Sequence, residues 1–155
     1  MVDYRKFLEA LEGFDCAVLD ISGETVLDRF QKPRIASSKP RIFDVSADKL
    51  RALSKGDNSG YNDGRGNIYI DKALSPENYL MVLFHELGHN KYQSQADAQT
   101  FASYALKNVR DRAKASDAKE ARILDRTYPV EALDRALART FEVGQHFPGF
   151  EVVLN

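Results

Sequence analysis

With 155 residues and a hydrophobic share of 43%, the chain suits one globular domain with a core of its own. Its 22 basic and 23 acidic side chains nearly cancel, which removes the charge excess that would mark nucleic acid or an anionic membrane as a default partner. The single cysteine, Cys16, forms no intrachain disulfide, no apolar run approaches the roughly 18 residues of a membrane span, and the opening MVDYRKFLEALEG lacks the apolar core of a signal peptide, so the expected location is cytoplasmic.

Residues 3–12 carry Tyr4, Phe7, Leu8 and Leu11 on one side and end at Gly13, the pattern of a short amphipathic helix. Two apolar runs, 16–21 and 24–27, flank Ser22-Gly23 and suggest a hairpin. Prolines, serines and basic residues mixed over 31–41 read as a solvated loop. A strand is expected over Arg41–Val45, then a short helix from its cap Ser46 to Lys55. The stretch 56–66 holds four glycines among Asn and Asp; it lacks the ligand alternation and closing Glu of an EF-hand loop and is expected to be irregular.

Asn67-Ile68-Tyr69-Ile70-Asp71 alternates as a half-buried strand does. At a sheet edge, such a strand can hold an extended peptide through its free backbone groups; otherwise it is one more strand of the sheet. Ser75-Pro76-Glu77 combines an N-cap, a proline at the first helical position and an acid in the first turn, so a helix starts near Pro76. Tyr79, Leu80, Leu83, Phe84 and Leu87 keep helical spacing through it.

Inside that apolar helix stands His85-Glu86-Leu87-Gly88-His89, an HExxH pentapeptide. Histidines four apart share a helix face, so their imidazole nitrogens can converge on one metal ion. Glu86 is rotated by about 100° from His85, beside the pair rather than in it, where a carboxylate can take a proton from water activated by the metal. Gly88 costs about 1 kcal/mol relative to Ala inside a helix, which points to close approach of another backbone, with a strand as the expected neighbour.

The helix is expected to end soon after His89, and Ser94 caps the next one, which runs from Gln95 to about Ala115. A short link makes the two an antiparallel hairpin and sets Asp97 opposite His89 as a candidate third ligand, although Ser94 and Asp97 also fit a capping box. Glu131 and His146 are the alternative ligands. Residues 110–126 mix both charges densely and read as the solvated face of one helix and the start of another. Tyr128-Pro129 opens the last helix, to Gly144, and residues 150–154 are a candidate terminal strand.

HELGH followed by Ala98-Gln99-Thr100-Phe101-Ala102 resembles the zincin metallopeptidases, and within them the gluzincin-like group typified by the ImmA/IrrE family. The resemblance spans roughly residues 66–106. It implies an α+β, zincin-like fold: a small twisted sheet with an edge strand at about 67–71 over the HExxH helix, then a mostly helical C-terminal half. In that family a Glu on the following helix is the third zinc ligand; aligned on Phe101-Ala102, this Glu falls on Gln95 and the family's Asn/Asp on Gln99. Gln is a neutral and uncommon ligand, which leaves Asp97 as the expected carboxylate. The metzincin pattern HExxHxxGxxH is excluded, since Tyr92 and Gln95 occupy its Gly and third His.

The resulting expectation is a single-domain zinc metalloendopeptidase acting on a protein or peptide substrate, with no nucleic acid or membrane as partner. Zinc is held by His85, His89 and Asp97, and Glu86 is the general base. Tyr92, Tyr104, Tyr128, Tyr69 and His146 are the candidates for contacting the oxyanion or the substrate. The alternative is a catalytically weak or inactive zincin-fold protein that binds a regulatory protein partner. A metal-free α+β interaction domain is the third reading.

Overall fold

Arg41–Val45 forms the first described strand, β1, and leads into α1 (Ala47–Ser54), where the Ser46 side chain accepts from the Lys49 N–H at 3.2 Å and caps the first turn. The computed structural model describes residues 41–150 except 66, 91, 116, 118, 124 and 125. The helix expected at 3–12, the hairpin within 16–27, the loop at 31–40 and the strand residues 151–154 lie outside the described residues.

A second strand, β2 (Gly60–Asn62), lies inside the stretch expected to be irregular. It pairs antiparallel with β3 (Asn67–Asp71), Tyr61 opposite Tyr69, while β1 pairs with β3 in parallel, Phe43 opposite Tyr69. The order β1-β3-β2 makes β3 the central strand among the described residues, not the edge strand expected at 67–71. Three residues set among glycines are too short to show a period of two, which is why β2 left no mark in the sequence pattern.

The alternation of β3 is as expected: Ile68 and Ile70 are fully buried, while Tyr69 turns to the other face and stacks between Phe43 and Tyr61. The inner face packs on α2 (Pro76–Gly88), started by Ser75 in extended conformation with Pro76 at the first position. A short link, in which Ser94 Oγ accepts from the Asp97 N–H at 3.0 Å, turns the chain into α3 (Gln95–Ala115).

Residues 110–115 of the charged stretch belong to α3 as expected, but beyond it the chain forms a two-stranded antiparallel hairpin, β4 (Glu120–Ile123) and β5 (Arg126–Pro129), and not the expected start of another helix. Ala121 and Ile123 are buried at strand spacing; the dense charges around them obscured that alternation. Pro129, extended, then precedes α4 (Val130–Gly144). Leu80, Leu83, Phe84 and Leu87 of α2, Phe101, Leu106 and Val109 of α3, and Leu133, Ala136 and Leu137 of α4 share one core with Ile68 and Ile70. Among the described residues, no helix is long and apolar enough to cross a membrane.

Candidate metal centre

Gly88 lets α2 and α3 meet. A Cβ there would lie 2.8 Å from the Ala98 carbonyl oxygen and 3.0 Å from its Cα. The expected backbone approach is therefore real, but the neighbour is helix α3 and not a strand. With Gly88 seated on Ala98, the first two turns of α3 stand beside the two histidines, and the residues on their inward face are Gln95 and Gln99.

Those two glutamines organise the histidine pair. Gln95 Oε1 lies 2.7 Å from His85 Nε2 and 2.8 Å from His89 Nε2, and the two Nε2 atoms are 3.1 Å apart. Gln99 Nε2 donates to the Thr140 carbonyl of α4 at 2.8 Å, which fixes that amide so that its Oε1, 2.6 Å from His85 Nδ1, accepts a proton from the ring. His89 Nδ1 donates to the Tyr92 carbonyl at 3.0 Å. Both acceptors are carbonyl oxygens, so in the neutral imidazoles the protons sit on Nδ1 and the lone pairs on Nε2.

Three electron-pair donors thus converge on one point: two imidazole nitrogens and an amide oxygen. A cation resolves the mutual repulsion of such a set, and second partners on each Nδ1 are what a metal-ligating histidine uses to hold its ring. The donor set fits a borderline divalent metal ion of the kind imidazole favours. Burial, and next the charge of His89, hold the His85 imidazole below its ordinary value, while the Gln95 and Gln99 oxygens pull the other way. Phe147 stacks on the His85 ring at 5.7 Å between centroids.

The expected carboxylate does not join. Among the described residues, no group of three His, Cys, Asp or Glu side chains is placed to hold a metal ion, so Asp97, Glu131 and His146 do not complete the pair. Asp97 is turned about 200° round α3 from Gln95. Its N–H is engaged by Ser94, the capping arrangement. Glu131 is exposed at the start of α4, about 14 Å along that helix from Thr140. His146 is exposed, and it is the following residue, Phe147, that reaches the site.

Glu86 is 7% exposed and borders a cleft of about 320 Å³ that Asn58, Gly60, Tyr61, Asn62, Gly64, His89 and Gln93 also line. Burial pushes its carboxyl up to about 7, against the pull of His89. Strand β2 forms the opposite wall. A Cβ on Gly60 would lie 2.3 Å from Val82 Cγ1 and 3.2 Å from Glu86 Cγ, so only glycine lets the strand come this close. Asp63 N–H donates to the Asn67 carbonyl and Asp71 N–H to that of Ser59, so the odd-numbered residues of this ladder bond β3 and the backbone groups of Gly60 and Asn62 turn outward.

Tyr69, Tyr104 and Tyr128 are not among the residues lining the cleft. Tyr69 is on the far face of the sheet, and Tyr104 is buried in the core. Tyr128 belongs with Arg126, Asp44 and Tyr79 at the N-terminal end of α2, about 15 Å along the helix from His89. Tyr92 serves the site through its carbonyl, and its ring packs toward Phe101. Sequence reasoning passed over Gln95 and Gln99 as defects of a motif; their spacing of four, matching that of His85 and His89, was the available signal. Nothing in the pattern marked Gly60, Asn62 or Phe147.

The family model of the IrrE N-terminal-like domain matches residues 49–126, half of the chain. No curated protein and no solved structure matches it.

Proposed function

Because the chain belongs to the IrrE N-terminal-like domain family, a metallopeptidase-like family, we propose that it is a zinc-dependent metalloendopeptidase acting on a protein substrate. The observation that carries this reading is Glu86: a buried carboxylate beside a pair of converging imidazoles, on the wall of a cleft whose other wall is β2, an edge strand among the described residues. A purely structural metal site has no use for a base and is closed by four protein ligands.

His85, His89 and Gln95 are the residues that would hold zinc. When bound, the ion supplies a Lewis acid that acidifies water and polarises a carbonyl. Gly60 and Asn62 align an extended peptide by offering it outward-facing N–H and C=O groups across the cleft. Glu86 takes the proton of the attacking water and passes it to the leaving amine; a carboxyl poised near neutrality suits both transfers.

Glu86→Gln tests the assignment. It is expected to retain zinc and to abolish cleavage of a broad peptide library; retained cleavage sinks the assignment. The neutral Gln95 at the third position favours a second reading, a zincin-fold protein that binds a regulatory partner with little or no turnover. Zinc bound by the wild-type protein without cleavage of any library member, or of proteins from the same cell, selects that reading.

A further inference from the structure

The third donor is an amide where the resemblance implies a carboxylate, and an amide has two faces. Gln95 presents Oε1 to two Nε2 lone pairs at 2.7 and 2.8 Å. Rotating the terminal amide by half a turn exchanges oxygen for NH2, a group with two protons for two acceptors. A carboxylate has no such second form while it is ionised. The neighbouring glutamine is not free to do the same, because Gln99 is locked by the Thr140 carbonyl. Gln95 is exposed, at the first turn of α3, where rotation meets no core packing.

Charge points the same way. His85, His89 and Gln95 are all neutral ligands, so a divalent cation is held with no anionic donor in its shell, which weakens the hold compared with two histidines and a glutamate. The chain thus combines a weakened metal-bound state with a metal-free state that is fully hydrogen-bonded.

We infer that Gln95 makes the metal site exchangeable: its amide oxygen is the third protein donor to the cation, and its NH2 bridges the two imidazoles when the cation leaves. The inference rests on the metallopeptidase reading and adds that the protein is loaded and unloaded as available zinc changes, not filled permanently.

The test is zinc affinity by chelator competition, with zinc alone as the probe, for the wild type, Gln95→Glu, Gln95→Leu and Asp97→Asn. Gln95→Glu is expected to tighten binding by at least about tenfold, since it adds an anionic donor, and Gln95→Leu to weaken it by a similar factor, with Asp97→Asn unchanged. In proton–nitrogen spectra of the metal-free wild type, the Gln95 side-chain amide protons are expected to be shifted and slow to exchange, and zinc should release them. Affinity indifferent to residue 95, or dependent on Asp97 instead, overturns the inference and leaves the metallopeptidase reading standing. An amide signal that zinc does not move overturns the second half. Wild-type protein that takes up no zinc removes both.

Discussion

Asn62 Nδ2 donates to the backbone carbonyl of Glu86 at 3.0 Å and to Asn90 Oδ1 at 2.7 Å, so the edge strand is fastened to the residue whose side chain borders the cleft. That carbonyl needs a partner. Asn90 N–H, which would serve it in a continuing helix, turns back to Leu87 at 3.1 Å as α2 ends. Asn62→Ala is expected to cost about 1 kcal/mol, the loss from orphaning a partly buried acceptor. Amide exchange at Tyr61 and Asp63, whose N–H groups bond β3, should speed up and peptide turnover should fall, with zinc content unchanged. Unaltered exchange in β2 would show that the strand is held by other means.

Gly88→Ala sets two effects against each other. Alanine gains about 1 kcal/mol of helix propensity, but its methyl carbon would sit 2.8 Å from the Ala98 oxygen, an overlap of backbone that no rotamer relieves. Overpacking of this kind costs about 1–3 kcal/mol. Chemical denaturation is expected to show net destabilisation, and zinc affinity should drop because α3 is pushed away from the histidines. A variant as stable as the wild type would mean that α2 and α3 are further apart.

The turn between β2 and β3 is organised by Asp63, whose carboxylate accepts from the N–H groups of Arg65 at 2.7 Å and Asn67 at 3.2 Å and from the Asn67 amide at 2.7 Å. Slight burial raises its pKa, but the hydrogen bonds outweigh that and hold it below the ordinary 3.8. A depressed carboxylate contributes stability that is present above its unfolded value and lost as pH falls through the folded one. The turn should therefore be unaffected by pH above about 4 and loosen in more acidic solution. Amide shifts of Arg65 and Asn67 followed against pH should show the step, and Asp63→Asn should remove it.

Gln99→Leu breaks two contacts at once, the ring proton of His85 and the carbonyl of Thr140. In the proposed zinc site, losing the partner of His85 is expected to lower zinc affinity about 10–100-fold. The His85 Nδ1–H, left partly buried without its acceptor, adds about 1–3 kcal/mol of destabilisation, whereas the Thr140 carbonyl keeps its place in the α4 ladder. Zinc titration and denaturation of the metal-free protein separate the two effects; full zinc affinity would show that His85 keeps its orientation without the amide.

Much of this was written in local pattern. Ser75-Pro76, Ser46 and Ser94 marked three helix starts correctly, because capping and proline geometry are decided within four residues. HExxH put two imidazoles and a carboxylate in register because the helix itself does so. The neighbour of the histidine pair was not legible because it depends on rotation about α3, which brings the Gln95 amide to both Nε2 atoms and turns Asp97 away. Strands β2 and β4 escaped for another reason: three or four residues among glycines or charges show no period, and their existence depends on partners far along the chain.

Phe147 and Thr140 both lie beyond residue 126, where the family match stops, and yet one covers the His85 ring and the other anchors the glutamine that orients it. The pentapeptide is consequently not a portable cartridge. A fragment cut at the boundary of the recognised domain would carry His85, Glu86, His89 and Gln95, but His85 would lose its lid and the anchor behind its orienting partner. Grafting or truncation at this site has to be planned around the last helix and the turn that follows it.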